Sequence, residues 1–323
     1  MSDIAENRNR PVRRRAILHG AAAGFAGLVA RRARAAERVL HLGYQRYGTL
    51  IILKHSGLLE RALAPAGYTV AWSEFVAGPQ LLQAVAAGVI DAGETGDAPP
   101  VFAQSMWGKR LLYIGHGAPA PHGEAILVRK ASSIRSVADL KSQRLAFNHG
   151  SNVHYLALAA LARTGLRIPD IHVVNLAPAA ARAAFDTGRL DAWAIWDPYL
   201  AAAQATGDTR ILTDATGLTA NRQFLLASPE ATLASGDALR ILLAAQKQVE
   251  DWAAQHKDEL IAALATDTGL APDIIRTAVQ RLPLGMFAIT PDIITEQQKI
   301  ADTLNAAGLL PSPLQIKDAV WTG

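Results

Sequence analysis

Beyond residue 37 the chain alternates short apolar runs with stretches whose apolar residues recur every three or four positions, a pattern that predicts strands and helices in turn. RVLHLGY (38–44) reads as a strand, and Gly48-Thr49 opens a helix that runs past Lys54 and is interrupted at Gly57. TVAWSEF (69–75) reads as a second strand. It leads through Ala77-Gly78-Pro79 into a helix whose Leu81, Leu82, Val85 and Ala86 share one face and which Gly88 ends. VIDAGET (89–95) is a third strand, and Pro99 and Pro100 forbid its simple continuation. LAFNHGSNVHYLALAALARTG (145–165) is a strand that enters Gly150-Ser151-Asn152 and becomes a long helix at once. The last third is mostly helical, with segments at 237–256, 258–267, 272–281 and 291–307, the last capped by Thr290 and stopped at Gly308. Strands alternating with helices define an α/β class.

One unit recurs. VAGPQLLQAVAAGVIDAG (76–93) and LAPAAARAAFDTGRLDAW (176–193) share a strand end, a proline in the first helical turn, an alanine-rich helix, a terminal glycine and an apolar-Asp-Ala entry into the next strand. Two like lobes facing each other would produce this echo, and strand ends and helix N-termini would then point into one cleft. No low-complexity linker interrupts the chain, and 323 residues suffice for two lobes.

Charge changes the picture at the N-terminus. Residues 1–35 hold eight arginines against Asp3 and Glu6, a net +6, which leaves −2 for the rest of a chain whose total is +4. A nucleic-acid partner loses its compositional support, because the basic excess belongs to the leader. The leader has a basic start, an eleven-residue apolar run at 20–30 that is too short to span a bilayer, and a small-residue end at Ala33-Arg34-Ala35. Arg14-Arg15 followed by Ala16, Ile17 and Leu18 resembles the twin-arginine export pattern, with Ile where Phe is usual, and Arg31-Arg32 disfavours the general secretory route. Cleavage is expected near Ala36, giving a soluble periplasmic product. The chain has no cysteine, so neither a lipid-anchor thiol nor a disulfide framework is available.

The junction at 150–153 leaves two readings open. Ser151 and Asn152 suit a helix cap, and the same unpaired N–H groups with a glycine beside them suit a small oxyanion. Metal chemistry finds no ligand spacing among the histidines, His154 being expected to pack rather than ligate, and no metal or cofactor is expected. A serine hydrolase at Ser151 fails for want of a Gly-x-Ser-x-Gly elbow.

The blocks LGYQRYGTLIILK, FVAGPQLLQAVAAGVIDAGETGDAPPVFAQ, EAILV, VADLK, NHGSNVHYL, DAWAIWDPY, QFLLAS and AVW occur in an order that resembles the substrate-binding proteins of ABC importers for aliphatic sulfonates, in the wider taurine and nitrate binding group. The resemblance spans nearly the whole mature chain. It implies a type II periplasmic binding protein fold with two α/β lobes: residues 36–126 with 225–323 in one, residues 127–224 in the other, and hinge crossings near Glu124 to Arg129 and near Gln223 to Ala227. It also implies a monomer that delivers an alkanesulfonate-type anion to a membrane permease and its ATPase.

A sulfonate has three acceptor oxygens and no proton to give, so its pocket must offer donors. Three helix mouths, Gly48-Thr49, Gly78-Pro79 and Gly150-Ser151-Asn152-Val153, would supply backbone N–H groups, with the side chains of Thr49, Ser151 and Asn152 as further donors. By resemblance Gln45, Thr95, Gly96 and Asp97 line the first wall, and Trp193 and Asp197 the second. One of Trp193 and Trp196, three apart in an apolar run, is expected in the core, with Trp193 the one taken to face the ligand. Asp97 and Glu124 would hold donors or the hinge in place, or pair with an amine if the ligand has one. Taurine, nitrate and aromatic sulfonates are the alternative ligands. An enzyme on the same fold is the distant alternative, because thiamine-pyrimidine synthases and aromatic sulfinate desulfinases, which it resembles, rest their chemistry on cysteines.

Overall fold

In the computed structural model the described residues are 38–323, so the expected leader and its arginine pair lie outside them. The chain begins with β1 (Arg38–Tyr44), α1 (Thr49–Ser56) and α2 (Leu58–Leu63). Gly57 separates the two helices at φ 61°, a left-handed conformation that costs glycine nothing. Then come β2 (Tyr68–Glu74), α3 (Gly78–Ala86), β3 (Ala92–Thr95), α4 (Ala98–Trp107) and β4 (Leu112–Gly117). Pro99 and Pro100 sit in the first turn of α4, where an absent N–H leaves no bond unmade. The residues that end the strand thus start a helix.

The chain next builds β5 (Glu124–Arg129), β6 (Arg144–Phe147), α5 (Asn152–Arg163), β7 (His172–Asn175), α6 (Pro178–Asp186), β8 (Ala192–Trp196), α7 (Tyr199–Gln204) and β9 (Thr209–Asp214). It continues as β10 (Phe224–Ala227), α8 (Pro229–Ala234), α9 (Gly236–Gln255), α10 (Lys257–Thr268), α11 (Pro272–Val279), β11 (Met286–Phe287) and α12 (Pro291–Ala306).

These strands form two sheets, a six-stranded one in the order β11-β4-β10-β3-β1-β2 and a five-stranded one in the order β7-β6-β8-β5-β9. Their plans correspond. In the first, β2, β1 and β3 run parallel and β10 lies antiparallel between β3 and β4. In the second, β7, β6 and β8 run parallel and β5 lies antiparallel between β8 and β9.

The sequence echo maps onto this correspondence, with α3 linking β2 to β3 and α6 linking β7 to β8. The aspartate in each copy does the same work. Asp91 accepts the His41 N–H on its carboxylate at 2.7 Å, and Asp191 accepts the Arg144 N–H at 2.8 Å. Each thereby ties the entry of one parallel strand to its neighbour.

Each sheet is covered on both faces. Leu225 packs in a cluster with Leu42, Leu59, Leu242 and Leu260, while its neighbours Phe224 and Leu226 pack with Leu81, Val101 and Leu304 on the other side. In β5 the same alternation sends Ile126 and Val128 toward Phe147 and Leu156, and Ala125 and Leu127 toward Phe185 and Trp193.

Candidate binding site

A cavity of about 490 Å³ is lined by residues from both sheets and from the C-terminal helices, a size suited to a small organic ligand. Gln45, Gly48, Thr49, Gly78, Thr95, Gly96, Ser151, Asn152 and Asp197 come together on its wall. The two halves meet closely there. A Cβ on Gly96 would stand 3.1 Å from the Cβ of Asn152, and one on Gly150 would stand 3.8 Å from Pro79.

Three helices of eight residues or more, α1, α3 and α5, open on this cavity, and none has a side-chain cap or an acid in its first turn. Their first N–H groups have no intrahelical acceptors, and the helix dipole makes these ends positive. Helices α8 and α12 show the contrast. Ser228 and Thr290 accept from the N–H of Ala231 and Ile293, and Glu230 and Asp292 stand in the first turns.

The side-chain donors expected at the mouths are committed elsewhere. Thr49 donates its hydroxyl proton to Glu250 and accepts from Gln246 Nε2 at 2.7 Å. Ser151 donates to the Asn148 carbonyl at 2.6 Å, so its hydroxyl neither caps α5 nor faces a ligand as a free donor. Asn152 Nδ2 donates to Glu124 and to Asn221 Oδ1, the latter at 3.1 Å. Even the Gly150 N–H is used, donating to His154 Nδ1 at 3.2 Å. That ring stacks between Phe147 and Phe102 at centroid distances of 4.7 and 5.3 Å, and burial, assisted by His149, lowers its pKa to about 3. His154 is neutral packing at ordinary pH. What the mouths offer an anion is main chain; Thr95 Oγ1, buried against Gly78 beside them, has no hydrogen-bond partner among the described residues.

Some expected wall residues lie behind the wall. Trp193 is 1% exposed and packs against Phe185 at 5.9 Å, whereas Trp196 lines the cavity. Residues three apart on a strand face opposite ways, and the face that β8 turns to α6 takes Trp193. Val153 is buried in the core with Leu156 and Phe147. Pro79, Asp97, Glu124 and Gly150 are likewise absent from the lining.

Asp97 and Glu124 are bracing groups in this structure. Asp97 accepts from Thr219 at 2.7 Å, and burial pushes its pKa up to about 6 despite that bond. Burial, then the charge of Asp97, raises Glu124 well above the usual carboxylate range. Asp197 accepts from the Ala201 N–H at 3.1 Å and from Arg281 Nη2 at 3.0 Å. Burial raises it to about 6, with Arg281 pulling the other way.

Sequence reasoning missed the C-terminal wall. Glu250 on α9 and Arg281, Leu282, Pro283 and Gly285 after α11 all line the cavity, as do Tyr47, Glu74 and Glu94 from the first half. Glu94 was legible as the residue before Thr95 in the strand end GETGD; the others carry no local signal, being drawn in by packing alone.

A family profile described as NMT1-like matches residues 35–265. A relative in Escherichia coli K12, named for binding aliphatic sulfonates, is 38% identical over 291 residues, which is 90% of this chain and 90% of the relative. The alkanesulfonate-binding protein SsuA from Xanthomonas axonopodis pv. citri bound to MOPS has 39% identity and a TM-score of 0.83 over 88% of this chain and 98% of that one. The periplasmic aliphatic sulphonate binding protein SsuA from Escherichia coli has 38% identity and a TM-score of 0.79 over 88% and 97%. The described residues share the periplasmic binding protein fold of these structures, and the chain belongs to the NMT1-like family, among its aliphatic sulfonate-binding proteins.

Proposed function

We propose that the mature chain is the solute-binding component of an ABC importer, taking up an organic sulfonate in the periplasm and passing it unchanged to a membrane permease with its ATPase. The observation that carries this reading is the convergence of the α3 and α5 mouths, both without side-chain caps, on one cavity wall. A permanent anion needs donors that cannot be lost by titration, and main-chain N–H groups meet that need. The E. coli and Xanthomonas relatives support the ligand class, and MOPS is itself an organic sulfonate.

In this reading Gly78, Thr95, Gly96, Ser151 and Asn152 contribute the anion wall, Gln45, Gly48, Thr49 and Asp197 the surrounding surface, and residues 127–224 form a lobe that moves against 36–126 and 225–323. Aryl sulfonates, taurine and nitrate remain the rival ligands. A thermal-shift panel separates them. The true ligand at about 100 times its Kd adds roughly 2.7 kcal/mol to the folded state, and sulfate and nitrate should add far less. Sulfite appearing on long incubation with the sulfonate would mean an enzyme instead.

Export by the twin-arginine route is part of the same proposal. Replacing Arg14 and Arg15 by lysine should trap precursor in the cytoplasm, while the parent chain yields a mature product beginning near Ala36; immunoblots of cell fractions read the outcome. Normal export of the lysine pair would remove the twin-arginine claim.

A further inference from the structure

The lining of the cavity holds more acids than bases. Its only lysine or arginine side chains among the described residues are Arg46 and Arg281, and each is already paired, with Glu74 at 2.6 Å and with Asp197 at 2.9 Å. Glu94 and Glu250 line the same cavity, and neither has a salt-bridge partner among the described residues. Behind the α3 and α5 end stand two more buried acids, Asp97 and Glu124, held by Thr219 and Asn152. An anion that enters therefore finds main-chain donors but no unpaired positive side chain.

The two unpaired acids of the lining differ. Glu250 accepts from Thr49, from Gln246 at 3.0 Å and from the Gly285 N–H at 3.0 Å. Glu94 takes the Gln45 amide on its main-chain carbonyl at 3.2 Å, while its carboxyl has no hydrogen-bond partner among the described residues. Its Oε2 lies 3.9 Å from where a Cβ would stand on Gly48, so the positive end of α1 is near, yet no N–H of that helix bonds to it. The other charged groups of the lining are the Arg46–Glu74 and Arg281–Asp197 pairs, and no residue of β1 or β10, which flank β3 in the sheet, lines the cavity. Tyr47 and Tyr199 line it too, and burial raises both above the ordinary phenol value, so they stay neutral near pH 8.

We infer that an organic sulfonate binds here together with one proton, which Glu94 takes from solvent as the anion enters. This deepens the proposed sulfonate reading and rests on it. The step is a protonation alone: one carboxylate oxygen gains a proton, and no other bond forms or breaks. Burial, then the charge of Glu250, pushes Glu94 up to about 8 before any ligand arrives. An anion in the same water-poor cavity pushes it higher, and by reciprocity the proton strengthens anion binding by the same factor. The sign follows. Below pH 8 Glu94 is protonated with and without ligand, and affinity does not depend on its titration. Above pH 8 the empty site is charged, so affinity falls by about tenfold per pH unit until the pH passes the value of the occupied site. An importer supplied by this protein loads best from neutral or acidic surroundings.

The test is calorimetric titration with propane-1-sulfonate and benzenesulfonate, neither of which titrates in this range, from pH 7 to 9.5, with buffers of different ionisation enthalpy compared at pH 8.5. The parent protein should take up at least about half a proton per ligand at pH 8.5 and almost none at pH 7, and its Kd should rise by about tenfold between pH 7 and 9.5. Glu94→Gln should bind without proton uptake and hold its Kd within about twofold across the range. Glu94→Ala serves as the second neutral variant should Glu94→Gln fail to fold. Binding without uptake and with a flat Kd in the parent overturns the inference and leaves the sulfonate reading standing. Uptake that persists in the neutral variants overturns it as well, because the proton would then go to the Asp97 and Glu124 pair behind the wall. No binding of either compound at any pH overturns both readings.

Discussion

Arg281→Leu lowers the unfolding free energy by about 3 to 5 kcal/mol at pH 8, because it strands the Asp197 carboxylate in a site that is nearly closed to water. The Arg281 and Asp197 side chains are 15% and 4% exposed, and Arg281 also donates to Gln204 Oε1 at 2.7 Å. The ion pair ties the turn after β8 to the end of α11, so the lost bonds span two distant parts of the chain. The pH course identifies the cause. Burial already raises Asp197 to about 6, and without Arg281 it rises further. A raised carboxyl gives stability that is complete below the unfolded pKa and is lost as pH climbs through the folded value. The deficit of the variant is therefore small near pH 4.5 and grows toward pH 8. Urea unfolding at both values measures it, and an equal deficit at the two would mean that lost packing, not charge, is responsible. Adding Asp197→Asn to the variant should recover part of the loss at pH 8.

Trp193→Ala costs about 3 to 5 kcal/mol of stability, as emptying a large buried aromatic does. Its indole is enclosed with Phe185, Leu190 and Ile195 beneath α6. Trp196, which meets the cavity, behaves differently: Trp196→Phe leaves the melting temperature nearly in place but removes the change in tryptophan emission on ligand binding. Trp193→Phe should keep that change. If the emission change follows Trp193 instead, the assignment of faces on β8 is wrong.

The pair of tryptophans shows where the sequence was readable and where it was not. Strand β8 was evident from its apolar run, yet which tryptophan met the cleft depended on the side of the sheet taken by α6, and no local pattern encodes that. The helix mouths were readable because Gly48, Gly78 and Gly150 sit at strand-to-helix junctions and because Pro79 marks a first turn. The fate of the donors was not. Ser151, Thr49 and Asn152 are the right residue types for an anion site, but their protons go to Asn148, Glu250, and Glu124 with Asn221, partners 3 to 201 residues away. Long-range pairing of this kind also hid the C-terminal wall, since Arg281 and Glu250 read as ordinary charges on helices until packing brings them to the cavity.

The strand order also governs when each half can be finished during synthesis. All five strands of the smaller sheet come from one unbroken stretch, Glu124–Asp214, so a nascent chain can complete it as soon as that stretch has emerged. The larger sheet begins earlier and ends later: β10 fits between β3 and β4, yet Phe224 follows Thr95 by 129 residues. On a ribosome adding about 5 to 20 residues each second, β3 waits roughly 6 to 26 seconds for its neighbour. The half encoded first is thus the last to close, and a fragment released before residue 224 would leave β3 and β4 as two bare edges with a strand-wide gap between them.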